Sequence, residues 1–298
     1  MYEIELKLNV PFNLDITLDC GQTFRWEKNN GYWKGIVRNT VLFVTQNSNM
    51  LKVWSSSKTL LGRNLINGIK HYFSLDHDLV TITNHLSGKL KFFNEYSRSV
   101  SLDAFKESSG LRILRQDPFE MVIQYMISTR NSIPNIKRIS DNLSAFFPEN
   151  RLMINDETFY TFPTLKQLKG LSINDLRSLK LAFRSTWLHE LTEKIESEDF
   201  FIKLKELSLK EKLDTLMQYK GIGFKVASCV ALFGYGELNA FPVDIWVKRI
   251  MEKLYNITGS TKKIMAFGMQ SFSPYAGYYQ EMLFRYIRTR KGIINICK

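Results

Sequence analysis

The 298-residue sequence has little cysteine and no long apolar run. Its three cysteines, Cys20, Cys229 and Cys297, are scattered and odd in number. This excludes a disulfide framework, a four-cysteine zinc site and a four-cysteine iron–sulfur cluster. A membrane-spanning helix needs about 20 consecutive apolar residues, and no such stretch occurs. No basic-then-apolar targeting signal opens the chain either, so we expect a protein of the cytoplasm or nucleoid, in a reducing intracellular compartment.

Acidic residues are also scarce, because 29 aspartates and glutamates stand against 41 lysines and arginines, a formal net charge of +12. Most of the excess lies in residues 111–298, which hold 28 basic and 19 acidic residues. A basic region favours a polyanionic partner, of which nucleic acid is the commonest, although a solvated lysine-rich surface would give the same count. Apolar residues make up 44% of the chain, which indicates a globular protein.

Periodicity divides the chain into two parts. In the first part, apolar residues alternate strictly with polar ones, and runs rich in β-forming residues are frequent. From residue 111 onward, helix-start signals and apolar residues at helical spacing dominate. The predicted fold class is α+β, with an N-terminal antiparallel-sheet domain over 1–110 packed on an all-helical domain over 111–298. A capping box at Ser172 predicts a helix that carries Leu176, Leu179 and Phe183. Strands are predicted at 3–10, 32–36, 41–45 and 51–54, and helices at 57–73, 76–86, 118–126, 134–147, 205–219, 225–232, 245–254 and 278–288.

Two predicted helices meet at a glycine-containing turn that contains Gly221 and Gly223. Glycines permit positive φ and close backbone approach. The N–H groups of such a turn and of the next helix's N-terminus suit a phosphate. The glycines alone would favour an ordinary tight turn between helices. With the apolar residues Leu216, Ile222 and Ala227 in place, the segment over about 213–233 resembles the helix-hairpin-helix motif, which binds a DNA backbone without reading its sequence.

A lysine and an aspartate follow this turn. Lys225 lies in the first turn of the second helix, where the helix dipole and burial favour a neutral amine that can form a Schiff base. Asp244 stands at the start of a later helix. A rigid carboxylate that faces a nucleophilic amine can stabilise a cationic sugar or move a proton. Each residue also has a purely structural alternative: Lys225 could be a surface lysine, and Asp244 could be a plain helix N-cap.

The segments GIGFKVASC at 221–229 and FPVD at 241–244 resemble the helix-hairpin-helix–Gly/Pro–Asp superfamily of DNA base-excision glycosylases. Four further segments are similar to its 8-oxoguanine DNA glycosylase/AP lyase branch of eukaryotic type, and the likeness covers about residues 5–290. The missing iron–sulfur cysteines argue against the endonuclease III and adenine-glycosylase branches. The four segments are DCGQTFRW at 19–26, LRILRQDP at 111–118, LAFR at 181–184 and PYAGYYQEMLF at 274–284.

The resemblance implies a bifunctional glycosylase and AP lyase that excises 8-oxoguanine from duplex DNA. Lys225 would attack C1′ of the damaged nucleotide and nick the strand by β-elimination through a Schiff base. Asp244 would stabilise the oxocarbenium character of the sugar. We expect a monomer that needs no metal or organic cofactor and has no membrane partner. Two alternatives remain open: a non-catalytic damage-recognition protein on the same fold, and a related glycosylase for another lesion.

The resemblance also assigns the damaged-base pocket. Gly21 would accept, through its carbonyl, the N7–H that only the oxidised base carries, whereas guanine would present an unpaired acceptor there. Gln280 would read the Watson–Crick edge of the flipped base. Phe284 and Cys229 would sandwich its ring. Taken singly, Gln280 would be a surface amide, Phe284 a core phenylalanine and Cys229 a small buried hydrophobic residue.

The positions that would contact the remaining DNA depart from the family pattern. Arg130 stands where relatives usually place an asparagine that fills the gap left by the flipped base. Asn135 stands where they place an arginine that reads the opposite cytosine, and Arg184 keeps a second such arginine. Trp246 replaces a phosphate-contacting histidine. We therefore expect relaxed selectivity for the opposite base. Further candidate DNA contacts are Phe183, Gly221 and Gly223, and candidate phosphate contacts are Arg285, Arg288, Arg290 and Lys291.

Overall fold

The computed structural model, which describes residues 1–289, begins with an antiparallel sheet. Its strands are β1 (Tyr2–Lys7), β2 (Trp26–Asn29), β3 (Tyr32–Val37), β4 (Thr40–Asn47) and β5 (Met50–Ser55). They lie in the order β1-β5-β4-β3-β2. Leu42 and Val44 pack into the core beneath the sheet, while Val41 and Phe43 are covered on the opposite face. The strands predicted at 32–36, 41–45 and 51–54 are confirmed, whereas the strand predicted over 3–10 ends at Lys7.

The predicted helix over 57–73 is wrong in its first half. A short hairpin of β6 (Thr59–Leu60) and β7 (Arg63–Asn64) occupies that part, because Leu61 and Gly62 both adopt positive φ and turn the chain back. The helix starts only after Asn64, whose side chain accepts the Asn67 N–H at 3.0 Å as an N-cap. The helices of this half are α1 (Leu14–Asp19), α2 (Leu65–Tyr72), α3 (Leu79–Lys89) and α4 (Glu95–Glu107).

The second half is helical and also contains one hairpin, which the sequence patterns did not predict. This hairpin consists of β8 (Arg151–Ile154) and β9 (Glu157–Tyr160), and Phe159 covers the outer face of the N-terminal sheet. The helices are α5 (Pro118–Ile127), α6 (Ile133–Ala145), α7 (Leu165–Lys169), α8 (Ile173–Ser178), α9 (Arg184–Lys194), α10 (Asp199–Lys205), α11 (Leu209–Leu216), α12 (Phe224–Tyr235), α13 (Ile245–Tyr255), α14 (Thr261–Ser271) and α15 (Ala276–Thr289).

Two helix predictions in this half need correction. The capping box at Ser172 is present, but α8 ends at Ser178, because Lys180 and Ala182 adopt positive φ. Phe183 therefore lies outside that helix and caps the start of α9. The predicted helix over 205–219 is also too long, since a capping box at Ser208 starts α11 anew.

The two halves share their packing. Residues of α3 and α4 lie in the same hydrophobic core as the C-terminal helices. Because this core extends across residue 110, the domain boundary placed there stays a prediction. Arg112 is fully buried where the chain crosses over, and its guanidinium donates to the carbonyls of Pro11, Ser74 and His77. The Gln22 amide donates to the Arg112 carbonyl at 2.7 Å. This network fixes the loop after α1 against the helical half.

Candidate active site

The glycine turn between α11 and α12 has the geometry of a tight helical hairpin. Gly221 adopts φ +86°, and a Cβ there would lie 2.4 Å from the Trp187 ring, so both conformation and space require glycine. Gly223 has extended backbone and open space around it, and it caps α12 without a side-chain hydrogen bond. Ile222 is buried beneath the turn. The first N–H groups of α12 are therefore available to an anion.

Lys225 is the second residue of α12 and is half-buried. Its ammonium donates to the Ser128 hydroxyl at 2.7 Å and lies 4.7 Å from the centre of the Tyr125 ring. Ser128 lies at the C-terminal end of α5, where its hydroxyl also contacts the Tyr125 carbonyl at 2.6 Å. Because the Ser128 hydroxyl gives its one proton to that carbonyl, it accepts from Lys225, and an ammonium and a neutral amine both carry N–H groups to donate. The lysine is thus held in place in either protonation state.

Asp244 caps α13, and its Oδ1 accepts the Val247 N–H at 2.8 Å. Burial raises the pKa of Asp244 above its ordinary value, while the Val247 N–H and the Lys225 charge act in the opposite direction. Within residues 1–289, the Asp244 carboxylate and the Lys225 ammonium form no ion pair, although the Lys225 charge lowers the pKa of Asp244. They are neighbours without a direct bond.

Gly21 lies beside the C-terminal helix. Its φ is +103°, and a Cβ added there would be 3.5 Å from Phe284 Cε1 and 3.3 Å from Arg288 Nη1. Ile133, at the start of α6, completes this close packing at 3.6 Å. No donor within the described part of the chain pairs with the Gly21 carbonyl. The positive φ is what favours glycine here, and its carbonyl has no partner among the described residues.

Gln280 and Phe284 are one helical turn apart on α15. Gln280 is 5% exposed, and its Oε1 is buried without a partner among the described residues. An unpaired buried acceptor costs about 1–3 kcal/mol, so a ligand that brings a donor would relieve it. Cys229 lies one turn beyond Lys225, and burial raises the pKa of its thiol to about 12. We call Gly21, Lys225, Cys229, Asp244, Gln280 and Phe284 together the base pocket.

A second group of predicted residues surrounds the turn between α5 and α6. The Arg184 guanidinium is buried and donates to the carbonyls of Thr129, at 2.9 Å, and Arg130, at 3.0 Å. Arg130 itself is exposed and has φ +52°. Phe183 is 45% exposed and meets the Trp187 ring edge-on. Arg184 therefore shapes this turn instead of extending into solvent.

Asn135 is also engaged by neighbouring side chains. Its amide donates to Asn131 Oδ1 at 2.6 Å, and its Oδ1 accepts from the Arg138 guanidinium at 2.6 Å. Arg138 is one turn further along α6 and is exposed. We call Arg130, Asn135, Arg138, Phe183 and Arg184 the α6 patch.

The remaining predicted contacts are spread around the base pocket. Trp246 is 44% exposed, and its ring lies 5.6 Å from the Arg249 guanidinium carbon. Arg285 donates to the Glu107 carbonyl at 2.8 Å. Arg288 donates to the Asp19 carbonyl and pairs with the Asp19 carboxylate at 3.4 Å. Arg290, Lys291 and Cys297 lie outside the described residues.

Several site residues escaped the sequence patterns. Ser128 and Tyr125 hold the lysine, and a buried acid, Glu281, follows Gln280 on α15. A charged residue on the apolar face of α15 was the available signal for Glu281. In the part of the chain that the structure describes, no cluster of His, Cys, Asp or Glu side chains could hold a metal ion. Nor does any helix of residues 1–289 have the length and apolarity to cross a membrane.

Comparisons with known proteins give two family matches. Residues 5–122 match the model of the 8-oxoguanine DNA glycosylase N-terminal domain, and residues 123–274 match the HhH-GPD superfamily of base excision DNA repair proteins.

Three relatives are similar over most of their length. The Arabidopsis thaliana N-glycosylase/DNA lyase OGG1 is 26% identical over 94% of this chain and 78% of its own. A structure of MBOgg1 with a low-affinity DNA ligand has a TM-score of 0.85 at 31% identity, covering 96% of this chain and 95% of that one. The Clostridium acetobutylicum 8-oxoguanine glycosylase/lyase, solved with duplex DNA containing cytosine opposite 8-oxoG, has a TM-score of 0.82 at 31% identity. That match covers 97% of this chain and 98% of the other.

Proposed function

Because this chain belongs to the HhH-GPD superfamily of base excision DNA repair proteins, in its 8-oxoguanine DNA glycosylase branch, we propose that the base pocket excises 8-oxoguanine through Lys225. The chain is a DNA repair glycosylase with AP lyase activity. The observation that carries the assignment of the pocket is the packing of Gly21 beside Phe284 on α15, the helix that also carries Gln280. Among the described residues, neither the Gly21 carbonyl nor Gln280 Oε1 has a partner.

The proposed reaction begins at the lysine. The neutral Lys225 amine attacks C1′ of the flipped nucleotide, the glycosidic bond breaks, and its electron pair leaves with the base. Asp244 stabilises the positive charge that develops on the sugar, because its carboxylate is fixed by its N-cap bond. Opening of the sugar ring then gives a Schiff base. Loss of the C2′ proton from this species expels the 3′-phosphate and nicks the strand.

Base selection is assigned to the two open acceptors. The Gly21 carbonyl accepts N7–H of 8-oxoguanine, whereas unmodified guanine brings an acceptor to an acceptor and is rejected. Gln280 pairs with the Watson–Crick edge, and the ring lies between Phe284 and the neutral Cys229 thiol. The donor-rich edge of a guanine-type base matches the unsatisfied acceptor of Gln280.

Binding of the duplex is assigned to the hairpin and to exposed aromatic side chains. The N-terminus of α12, with Gly223 open to solvent, receives a backbone phosphate, and Phe183 and Trp246 contact the strands beside the lesion. Every group in this scheme comes from one chain, so we expect a monomer. The substrate places the protein at cellular DNA, in the cytoplasm or nucleoid.

Borohydride trapping tests the proposal. Matched duplexes that contain 8-oxoguanine, guanine or another damaged base are incubated with the protein and reduced. We expect a covalent complex with the 8-oxoguanine duplex and background levels with guanine. Tight binding without trapping would instead indicate a non-catalytic damage-recognition protein. Faster trapping on a different lesion would assign the pocket to that lesion.

A further inference from the structure

The C-terminal end of α5 carries two side chains that contact the nucleophile. Tyr125 lies in the last turn of the helix, and Ser128 caps it. Tyr125 is 3% exposed, and Ser128 is half-buried. We call these two residues the α5 end. Neither of them takes part in the reaction proposed above, yet both contact the Lys225 ammonium.

Ser128 is a fixed hydrogen-bond acceptor for the lysine. Its hydroxyl donates to the Tyr125 carbonyl at 2.6 Å, so only its lone pairs are left for the Lys225 nitrogen, which lies 2.7 Å away. The amine therefore turns an N–H toward Ser128. The lone pair of the neutral amine, which forms the bond to C1′, then points away from Ser128 and stays free to react.

Tyr125 contacts both the lysine and the loop that recognises the base. Its ring centre lies 4.7 Å from the Lys225 ammonium, and its hydroxyl donates to the Gln22 carbonyl at 3.2 Å. Gln22 directly follows Gly21, whose carbonyl is the proposed discriminator of the oxidised base. One side chain therefore reaches from the nucleophile to the segment that presents this carbonyl.

The ring and the loop are each held by further contacts. The Tyr125 ring stacks on Phe233 with 5.6 Å between centroids and meets Phe24 edge-on at 5.5 Å. The Gln22 side-chain amide donates to the Arg112 carbonyl at 2.7 Å. The Tyr125 hydroxyl bond thus joins two well-held parts of the molecule, and it sets the separation between the nucleophile and the discriminating carbonyl.

We propose that the α5 end is a positioning element of the base pocket, in which Ser128 orients the Lys225 amine and Tyr125 keeps that amine at a set separation from the Gly21 carbonyl. This inference rests on the function proposed above. Both residues act through Lys225 and the Gly21 loop, and neither is assigned contact with the DNA. Excision of 8-oxoguanine needs the amine and the carbonyl together, whereas nicking of an abasic site presents no base and needs only the amine. The two residues therefore have different signatures.

The experiment compares two single-turnover reactions: excision from an 8-oxoguanine duplex and nicking of a preformed abasic duplex. Protein concentration is varied, so that the rate constant and the dissociation constant for DNA are obtained separately. Ser128→Ala should lower both rate constants by a similar factor, roughly 10- to 100-fold, because both reactions use the amine and misplacement of a reacting group has a cost of this order. Ser128→Thr keeps the hydroxyl and should restore both. The dissociation constant should not change in either variant.

Tyr125→Phe keeps the ring and removes only the bond to the Gln22 carbonyl. That carbonyl still accepts from the Gln116 amide at 2.8 Å, so it stays paired in the variant. The excision rate constant should fall about 3- to 10-fold, which is the effect of one hydrogen bond. Nicking of the abasic duplex should keep its wild-type rate constant, because that reaction does not use the Gly21 carbonyl.

Two residues outside the base pocket make the same kinds of bond and serve as matched controls. The Ser178 hydroxyl, at the end of α8, donates to the Asp175 carbonyl three residues earlier at 2.7 Å. The Tyr235 hydroxyl, at the end of α12, donates to the Phe201 carbonyl at 3.0 Å. Ser178→Ala and Tyr235→Phe should leave both rate constants at the wild-type value.

The outcomes separate this inference from the proposed function. Wild-type nicking by Ser128→Ala, wild-type excision by Tyr125→Phe, or an equal loss of both reactions in Tyr125→Phe would overturn this inference alone. So would a loss confined to the affinity for DNA, or equal losses in the control variants. A wild-type chain that neither excises 8-oxoguanine nor nicks abasic DNA would overturn the proposed function, and this inference with it.

Discussion

The base pocket and the α6 patch use their polar groups in opposite ways. In the base pocket, the Gly21 carbonyl and Gln280 Oε1 have no partner among the described residues. In the α6 patch, Arg184 donates to backbone carbonyls, and Asn135 bonds with Asn131 and Arg138. A pocket with open acceptors gains bonds when a base enters, whereas a patch with satisfied groups must first break some.

This difference indicates where selectivity lies. Unsatisfied buried acceptors select strongly, because a base without matching donors leaves them unpaired. Surface groups that already bond to each other discriminate less, since an incoming base replaces bonds that exist. We therefore expect strict recognition of the damaged base and tolerant recognition of its partner. The predictions below test the two sides in order of expected effect.

The largest effect is expected at the nucleophile. Lys225→Gln should abolish borohydride trapping and reduce strand nicking to background, because an amide cannot form a Schiff base. Binding of lesion DNA should persist, since glutamine can still bond to Ser128. Lys220→Gln is the control, because that exposed lysine pairs with Glu190 at 3.0 Å on the same hairpin. Continued trapping in Lys225→Gln would move the nucleophile to another amine.

A smaller loss is expected at the carboxylate. Asp244→Asn should fold, since asparagine is also a good N-cap, yet lose about 10²–10³ in single-turnover excision rate, because a preorganised charge is removed from the active site. Asp78 is the matched control, as it caps α3 by accepting the Thr81 N–H at 3.1 Å outside the pocket. Equal rates in Asp244→Asn and Asp78→Asn would reduce Asp244 to a structural cap.

The places of both catalytic candidates could be predicted because their signals are local. Glycines next to Lys225 mark a hairpin, and a proline-containing segment before Asp244 marks a helix start. Ser128, which holds the lysine, is 97 residues away in sequence, and no local pattern connects the two. Tyr125, whose ring centre lies 4.7 Å from the Lys225 ammonium, is likewise distant from it in sequence. Such partners are set by packing between distant elements.

The same limit applies to the α6 patch and to the sheet. The family resemblance implied that Arg184 reads the opposite base, and this stays a prediction. Its bonds to Thr129 and Arg130, which follow from the fold of the α5–α6 turn, could not be predicted from the sequence. The hairpin of β8 and β9 was missed because its few apolar residues, such as Phe159, pack on the distant N-terminal sheet. Its short strands show too little periodicity to be distinguished from a loop.

The smallest effect is expected opposite the lesion. The wild type should excise 8-oxoguanine at similar rates opposite cytosine, adenine, thymine and guanine, because Asn135 is neutral and already bonded. Asn135→Arg adds a guanidinium that can donate to the cytosine acceptors and leaves a charge unpaired opposite a purine. One such contact is worth roughly 1–3 kcal/mol, so the cytosine preference should rise about 5- to 150-fold.

Two neighbouring cations decide how this result is interpreted. Arg130 is exposed beside the turn, and Arg138 holds its guanidinium 2.6 Å from Asn135, so either could supply the donor that Asn135 lacks. Single-turnover rates on four duplexes that differ only in the opposite base are measured for the wild type, Arg130→Ala and Arg138→Ala. Similar rates in all three would confirm that the α6 patch reads the partner base weakly. A strong wild-type preference for cytosine that one alanine variant removes would identify that arginine as the reader. It would also show that a surface arginine can exchange its hydrogen bond within the protein for one to a base at little cost in free energy. The hydrogen-bonded groups of the α6 patch would then select the opposite base as strictly as the open acceptors of the base pocket select the damaged base.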